Sequence, residues 1–182
     1  MKILALIGGS GSGKSTILNG LREHFGERAA MLSLDNYYRP KSELPVDENG
    51  ETNFDLPEVI NDTDLVRDID HLRSGRPIEL DTYTYNRDVM QSEKITIAPA
   101  EWLVVEGLFA MAYPAMEERI DLLGFIDAPA QVRLRRRIER DGSERGYTED
   151  EVCYQWHNHV LPADIAHIEP WKDKADVVVD NT

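Results

Sequence analysis

Cysteine is scarce in this sequence, since Cys153 is the only one among 182 residues. A single cysteine can form no disulfide within the chain, and nothing in the sequence indicates secretion. Long apolar runs are missing as well, because no stretch approaches the ~20 residues needed to cross a membrane. The apolar start of the chain lacks the small-residue cleavage site of a secretory signal and fits a first β-strand better. These absences favour a cytoplasmic protein that does not enter a membrane.

Positive charge is also in short supply: 20 Lys and Arg residues face 34 Asp and Glu residues, a formal net charge of −14. This balance argues against a general nucleic-acid binder, which must neutralise phosphates. The exception is the segment 133–145, RLRRRIERDGSER, which holds six arginines and three acids. From charge alone a solvated helix face is the simpler interpretation of this segment, and a site for a small anion is the alternative.

The chain shows neither an internal repeat nor a low-complexity linker, so we predict a single domain over residues 1–182. Apolar runs of strand length alternate with segments of helical periodicity, which is typical of a mostly parallel sheet covered by helices on both faces. We predict strands at 2–8, 29–34, 101–107, 122–128 and 175–180, helices at 14–25, from near Pro57 to Gly75, at 130–141 and from about 148, and two β segments within 77–98.

A glycine-rich loop follows the first predicted strand. Gly8, Gly13, Lys14 and Ser15 satisfy G-x-x-x-x-G-K-[ST], and a helix follows, as the P-loop motif requires. Glycines let backbone N–H groups converge on phosphate oxygens, Lys14 offers charge to the β- and γ-phosphates, and Ser15 offers a hydroxyl to Mg²⁺. We therefore predict a site for ATP or another nucleoside triphosphate at Gly8, Gly9, Ser10, Gly11, Ser12, Gly13, Lys14, Ser15 and Thr16.

Two acids follow predicted strands at the sheet edge where ligands bind in such folds. Asp35, in SLDNYYRP, could accept the proton of an attacking alcohol, although it could equally cap the strand or hold magnesium. Glu106, in LVVEGLF, fits a contact to Mg²⁺. The guanine signature N-K-x-D and an ABC-type signature are absent, which makes a GTPase switch or an ABC transporter a weaker interpretation of the chain.

Five motifs occur in a fixed order: GGSGSGKST, LDNYY, NFDLPE, VVEGLF and RLRRRIERDGSERG. In this order they resemble the uridine kinase (uridine-cytidine kinase) family of P-loop kinases, relatives of phosphoribulokinase and pantothenate kinase. The resemblance covers nearly the whole chain. It implies a P-loop NTPase fold with three α/β/α layers, a small β-hairpin insertion at about 77–98 on the nucleoside side, and a helical lid at about 141–147. It also implies transfer of the ATP γ-phosphoryl group to the 5′-hydroxyl of a pyrimidine nucleoside.

The resemblance gives roles to individual positions. It makes Asp35 the general base with Tyr38 beside it, and it makes Asp55 the partner of the ribose hydroxyls. Arg137 and Arg140 would reach the phosphates and the nucleoside, because an arginine fork binds phosphate oxygens well. Two further positions are a lid arginine and a residue that closes on the nucleoside, namely Arg145 and Gln155. Arg135 and Arg136 would face solvent or pair with acids.

The base-recognition segment LDTYTYNR, residues 80–87, departs from the family pattern. Asp81 and Arg87 keep their positions, but Leu80 stands in place of a tyrosine and Tyr85 in place of a histidine. A phenol has a different reach from an imidazole, so we expect uridine to be a poor substrate and cytidine or another nucleoside to be favoured.

Two other functions stay open at this point. The acceptor could be a phosphorylated sugar or a pantothenate-like alcohol, or the chain could be a regulatory module that binds a nucleotide without transferring phosphate. The sequence also leaves open whether copies of the chain form a homo-oligomer.

Overall fold

A computed structural model describes residues 1–83 and 93–182 of the chain. Its main sheet has five strands in the order β2-β5-β1-β6-β7, and all four pairings are parallel. The strands are β1 (Lys2–Ile7), β2 (Ala29–Ser33), β5 (Trp102–Glu106), β6 (Leu122–Asp127) and β7 (Val177–Asp180). The five predicted strands and their parallel arrangement are therefore confirmed.

A separate antiparallel pair lies outside this sheet. It consists of β3 (Ile78–Asp81) and β4 (Lys94–Ile97), which are the two β segments expected within 77–98. Ile78, Leu80 and Ile97 are buried in the main hydrophobic cluster of the protein. Side-chain packing therefore attaches this hairpin to the rest of the domain.

The central strand β1 explains why the sheet is buried on both faces. Ile3 and Ile7 pack into the larger cluster, while Leu6 joins Val104 and Ile126 in a smaller cluster on the opposite face. Because neighbouring side chains of a strand point to opposite faces, a continuous apolar run fills both layers at once.

The helices described are α1 (Lys14–Phe25), α2 (Asp62–Arg73), α3 (Pro114–Glu117), α4 (Ala130–Glu144) and α5 (Glu149–Gln155). The bounds of α1 agree with the prediction. The start of α5 is also confirmed, because Thr148 and Glu151 form the expected capping box. None of the helices in the described ranges is long and apolar enough to span a bilayer.

The helix predicted from Pro57 to Gly75 was wrong at its start. Residues Pro57–Val59 form a short 3₁₀ turn, and Ile60 pairs with Tyr38 in an isolated antiparallel bridge. The extended backbone at Ile60 interrupts any helix there. Asn61 then caps α2, with its side-chain oxygen accepting a hydrogen bond from the Asp64 N–H at 3.2 Å.

The region after β6 also differs from the prediction. Helix α4 runs to Glu144 and not to 141, so four of the seven residues at 141–147, where a helical lid was predicted, are regular helix. After α5 the chain continues through two π-helical turns, Trp156–Val160 and Asp164–Ile168, and ends in a 3₁₀ segment before β7. π-Turns are frequent near functional sites, and the second one carries the buried side chain of Asp164.

Candidate active site

The glycine-rich loop joins the carboxyl end of β1 to the start of α1. Gly11 has φ +78°, and a Cβ there would lie 2.5 Å from the main-chain oxygen of Arg133. Gly13 has φ +93° and forms the N-cap of α1. Side chains at these positions would clash or strain the backbone, which explains why glycine is needed where the loop meets α4.

Lys14 reaches back over this loop. Its Nζ donates to the carbonyl oxygens of Gly8 at 2.9 Å and Gly9 at 3.4 Å. Burial lowers the pKa of Lys14, and the nearby carboxylates of Glu106 and Asp35 oppose that shift. The side chain thus places a donor and a charge directly at the phosphate cradle.

The two strand-end acids meet beside Lys14, as predicted. Ser33 on β2 and Glu106 on β5 are paired in register, and Ser33 Oγ donates to Glu106 Oε1 at 2.6 Å. Asp35 follows in a 3₁₀ turn, where its N–H donates to Ser33 Oγ at 3.3 Å. Burial raises the pKa values of Asp35 and Glu106, and Lys14 opposes both shifts. Asp35 is exposed to solvent where it lines the cleft, although protein packed around the cleft limits its hydration.

These groups open into one cleft with a volume of about 460 Å³. The donor loop, both strand-end acids, the aromatic acceptor side and the α4 arginines all line it. Among the predicted site residues, those that line it are Ser10, Gly11, Gly13, Lys14, Ser15, Asp35, Tyr38, Asp55, Glu106, Arg137, Arg140 and Arg145.

Arg137 links the two sides of the cleft. Its guanidinium donates to Ser10 Oγ of the glycine-rich loop at 2.9 Å and to Gln155 Oε1 at 3.1 Å, and it lies 3.8 Å from the carboxylate of Asp55. Arg137, Asp55 and Gln155 are all buried. These contacts hold the Arg137 guanidinium in one orientation, facing the glycine-rich loop where phosphate is expected to bind.

The acceptor side is lined by aromatic rings. Tyr38 stacks on Tyr83, with ring centroids 4.9 Å apart, and the Tyr38 hydroxyl donates to the main-chain oxygen of Phe54 at 3.3 Å. Burial, together with the charge of Asp35, raises the pKa of Tyr83 to about 12. We did not predict Tyr83 as a site residue, although an aromatic residue within the base-recognition segment was a signal from which it could have been predicted.

Other predicted acceptor residues are not brought into the cleft by the described structure. Asp81 lies on β3, opposite Lys94, with an exposed side chain. Tyr85 and Arg87 lie outside the described residues. The roles of these three positions therefore stay predictions.

The expectation that Arg136 faces solvent or pairs with acids was wrong. Its Nη1 lies 3.4 Å from the Gly11 carbonyl oxygen and 3.5 Å from that of Ser12, at the edge of the cleft. Asn181 also donates to the Ser12 carbonyl oxygen, at 2.7 Å. These contacts join residues far apart in sequence, which is why local patterns could not reveal them.

A buried ion pair supports the other side of the loop. Arg133 pairs with Asp164 next to Gly9, and its guanidinium lies over the ring of Trp156 at 5.2 Å from the centroid. Burial raises the pKa of Asp164, and Arg133 opposes the shift. No motif in the sequence singled out Asp164.

The segment that leads to Asp55 is tied to α5 and to the π-helical turn that follows it. Asp47 Oδ2 accepts from the Tyr154 hydroxyl at 2.6 Å and is 2.9 Å from Nε2 of the buried His159. The hydrogen bond from Tyr154 is the main reason that the pKa of Asp47 is held well below its usual range. We call Asp47, Tyr154 and His159 the Asp47 clamp.

A parallel sheet with a glycine-rich phosphate loop, a lysine, two strand-end acids and an arginine helix defines the class of P-loop phosphotransferases. The chain belongs to the Phosphoribulokinase / Uridine kinase family, whose sequence model matches residues 3–182. It is therefore a phosphotransferase with an alcohol group as acceptor.

Known relatives agree with this assignment. A uridine kinase of Staphylococcus epidermidis is 36% identical over 178 residues, which is 97% of this chain and 86% of that protein. A uridine kinase of Halobacterium salinarum is 34% identical over 176 residues, covering 97% and 78%. The structure of phosphoribulokinase from Rhodobacter spheroides is similar with a TM-score of 0.72 at 20% identity, covering 98% of this chain and 69% of that one. At that identity the last similarity shows the fold alone.

Proposed function

We propose that the protein transfers the γ-phosphoryl group of ATP to the 5′-hydroxyl of a pyrimidine nucleoside. The observation that carries the proposal is that Lys14, Asp35 and Asp55 line one cleft. A cation at the phosphate loop, a carboxylate for the attacking hydroxyl and a second carboxylate for the ribose are the groups that this reaction needs. The name uridine kinase, carried by relatives at 34–36% identity, supports the same acceptor.

Asp35 is the proposed general base. It receives the proton of the attacking hydroxyl as the new bond to phosphorus forms. Burial raises the pKa of Asp35, which makes it a better proton acceptor than an ordinary carboxylate, while Lys14, Arg145 and Arg140 oppose the shift and so favour the ionised form that a base requires. Lys14, Arg137 and Arg140 stabilise charge on the phosphates during transfer.

Ser15 and Glu106 are the proposed holders of Mg²⁺. Ser15 is exposed in the first turn of α1, and Glu106 lies at the adjacent strand end. Mg²⁺ is commonly held by one or two carboxylates together with substrate phosphates, so this oxygen set fits the ion. When bound, the ion supplies charge neutralisation at the β- and γ-phosphates.

The nucleoside is placed on the side of the aromatic rings. Asp55 accepts hydrogen bonds from the ribose hydroxyls, Tyr38 and Tyr83 cover the sugar and base, and Gln155 closes on them through its contact with Arg137. Tyr85 replaces a histidine of the family, and on that basis we expect cytidine to be preferred over uridine. Equal kcat/KM values for the two nucleosides would contradict this preference.

Residues 141–147 are proposed to close over the bound substrates and exclude water, with Arg145 as the contributing cation. Hydrogen exchange of this segment should slow when cytidine and a non-hydrolysable ATP analogue are both bound. Unchanged exchange would contradict a lid.

An acceptor screen with ATP tests the function directly. Uridine and cytidine should become phosphorylated, whereas phosphorylated sugars and pantothenate-like alcohols should not. Phosphate transfer to one of those other alcohols alone would replace the nucleoside assignment. Transfer to no acceptor, with ATP bound, would favour a regulatory module.

The variant Asp35→Asn tests the base. It should lower kcat by about 10²- to 10⁴-fold while ATP binding persists. The control Asp173→Asn makes the same change at an exposed position and should have no effect. Turnover that survives Asp35→Asn would remove this role.

A further inference from the structure

The last turn of α4 contains a carboxylate that is sealed from solvent. Asp141 is 0% exposed, whereas the three residues that follow it are exposed. Its main-chain oxygen accepts from the N–H groups of Arg145 and Tyr147. A carboxylate without water is costly unless cations surround it, so its partners decide why it is there.

Three guanidinium groups contact this carboxylate. Arg140 Nε lies 2.8 Å and Arg145 Nη1 3.2 Å from Asp141 Oδ1, and Arg137 Nε lies 3.1 Å from Oδ2. All three arginines line the cleft, and Asp141 is not among its lining residues. The carboxylate therefore contacts the arginines from the side away from the phosphate loop.

The contact with Arg137 is ionic and poorly directed. Within the described ranges, neither Arg137 Nε nor Asp141 Oδ2 has an aligned hydrogen bond, despite the 3.1 Å separation. The other end of the same guanidinium is well bonded to Ser10 and Gln155. A phosphate that enters the cleft can bind the Arg137 guanidinium without first breaking a strong hydrogen bond to Asp141.

The charges explain what Asp141 contributes. Three arginines crowded at one helix end repel one another, and one carboxylate behind them reduces that repulsion. The same carboxylate also competes with phosphate oxygens for the guanidiniums. It therefore opposes tight binding of the donor and, at the same time, fixes where the cations point.

We propose that Asp141 is a positioning residue that aims Arg140 and Arg145 at the transferring phosphoryl group and competes with the donor for these two arginines and for Arg137 before transfer. The proposal rests on the proposed function, because these arginines are assigned to the phosphates there. Catalysis gains when interactions strengthen only in the transition state, and a competing carboxylate lowers ground-state binding without weakening that later contact.

Asp141→Asn tests the proposal, because it removes the charge and keeps the shape. ATP should bind about two- to fivefold more tightly, since one competing negative charge is gone. The kcat value should fall by about ten- to a hundredfold, since the guanidiniums are no longer held in place. A purely structural role would instead weaken ATP binding and kcat together.

The control is Glu139→Gln, which makes the same charge change on the exposed face of α4 and should alter neither quantity. The double variant Asp141→Asn/Arg140→Gln should lose less kcat than the two single losses multiplied together, because part of the effect of Asp141 passes through Arg140. Additive losses, unchanged kcat or weaker ATP binding in Asp141→Asn would each overturn the proposal.

If Asp141→Asn does not fold, Asp141→Glu decides. It keeps the charge but displaces the guanidiniums by one methylene, so kcat should fall severalfold with ATP affinity unchanged, and a wild-type kcat would overturn the proposal. If the wild-type protein phosphorylates no nucleoside, the proposed function fails independently. ATP affinity, measured without acceptor, then decides for Asp141: tighter binding in Asp141→Asn that disappears at high salt supports it, and equal affinity overturns it.

Discussion

The two sides of the cleft are built in different ways. The donor side consists of backbone turns and buried cations that other residues hold in place, as Ser10 and Gln155 hold Arg137. The acceptor side consists of short 3₁₀ turns, the isolated bridges Tyr38–Ile60 and Val46–Thr52, and a hairpin outside the main sheet.

This difference shows how a phosphotransferase fold separates reaction from selectivity. The phosphate groups of the donor require a fixed array of N–H groups and charges, and regular elements provide it. The side chains proposed to select the acceptor alcohol lie on irregular segments, which can change without altering the sheet. Asp55 is the point where the two sides meet, because it lies 3.8 Å from Arg137.

The largest difference between the two sides of the cleft is expected from a change on the donor side. Lys14→Met removes the cation at the loop and should lower kcat by about 10²- to 10³-fold. Lys41→Met, at an exposed position, is the control and should match the wild type. Steady-state kinetics measure kcat at saturating nucleoside and, in a nucleoside titration, the KM for the nucleoside. A defect confined to that KM would contradict the assignment of Lys14 to the donor side of the cleft.

An acceptor-side change should separate affinity for the nucleoside from affinity for ATP. Asp55→Asn should raise the nucleoside KM by about ten- to a hundredfold, because a hydrogen bond to a charged group is lost. ATP affinity, measured by calorimetry, should change far less. The exposed Glu48→Gln serves as control, and equal losses for both ligands would contradict the division of the cleft.

Asp35, the proposed base, should reduce the stability of the fold. Burial raises the pKa of Asp35, so the folded state binds this proton more tightly than the unfolded state. Its contribution to stability is present below the unfolded pKa and is lost as the pH rises through the folded pKa. At neutral pH Asp35→Asn should therefore raise the Tm.

The direction of this pKa shift also predicts how the Tm difference between Asp35→Asn and the wild type depends on pH. The Tm advantage of Asp35→Asn should shrink as the pH falls through the raised pKa, and kcat/KM of the wild type should fall over the same interval as the base becomes protonated. Thermal melts across a pH series measure the first quantity. A Tm advantage that grows toward acid pH would contradict the assignment.

The smallest effect on turnover is expected at the Asp47 clamp. Asp47→Asn weakens the contacts with Tyr154 and His159 and should lower the Tm by a few degrees at neutral pH while kcat stays close to that of the wild type. Because the pKa of Asp47 is lowered, its stabilising contribution is present above the unfolded pKa and is lost as the pH falls through the folded pKa. A variant that melts like the wild type at neutral pH would show that the clamp stabilises nothing.

The sequence predicts those parts of the molecule that local patterns determine. The strands, α1, the phosphate loop and the meeting of Asp35 with Glu106 follow from apolar periodicity and from the rule that parallel strands end at one edge. The start of α2 could not be predicted, because Tyr38 pairs with Ile60 from a distant segment. The burial of Asp141 could be predicted only in part, because helix periodicity does not reveal which arginines of α4 will line the cleft.

The hairpin of β3 and β4 has a consequence for how such enzymes diversify. It shares no ladder with the main sheet and is anchored by Ile78, Leu80 and Ile97. A transplanted hairpin from another kinase needs only those apolar anchors to fit, because no strand pairing has to be rebuilt. The segment beside the proposed acceptor site could therefore be exchanged as one unit, leaving the phosphate chemistry untouched.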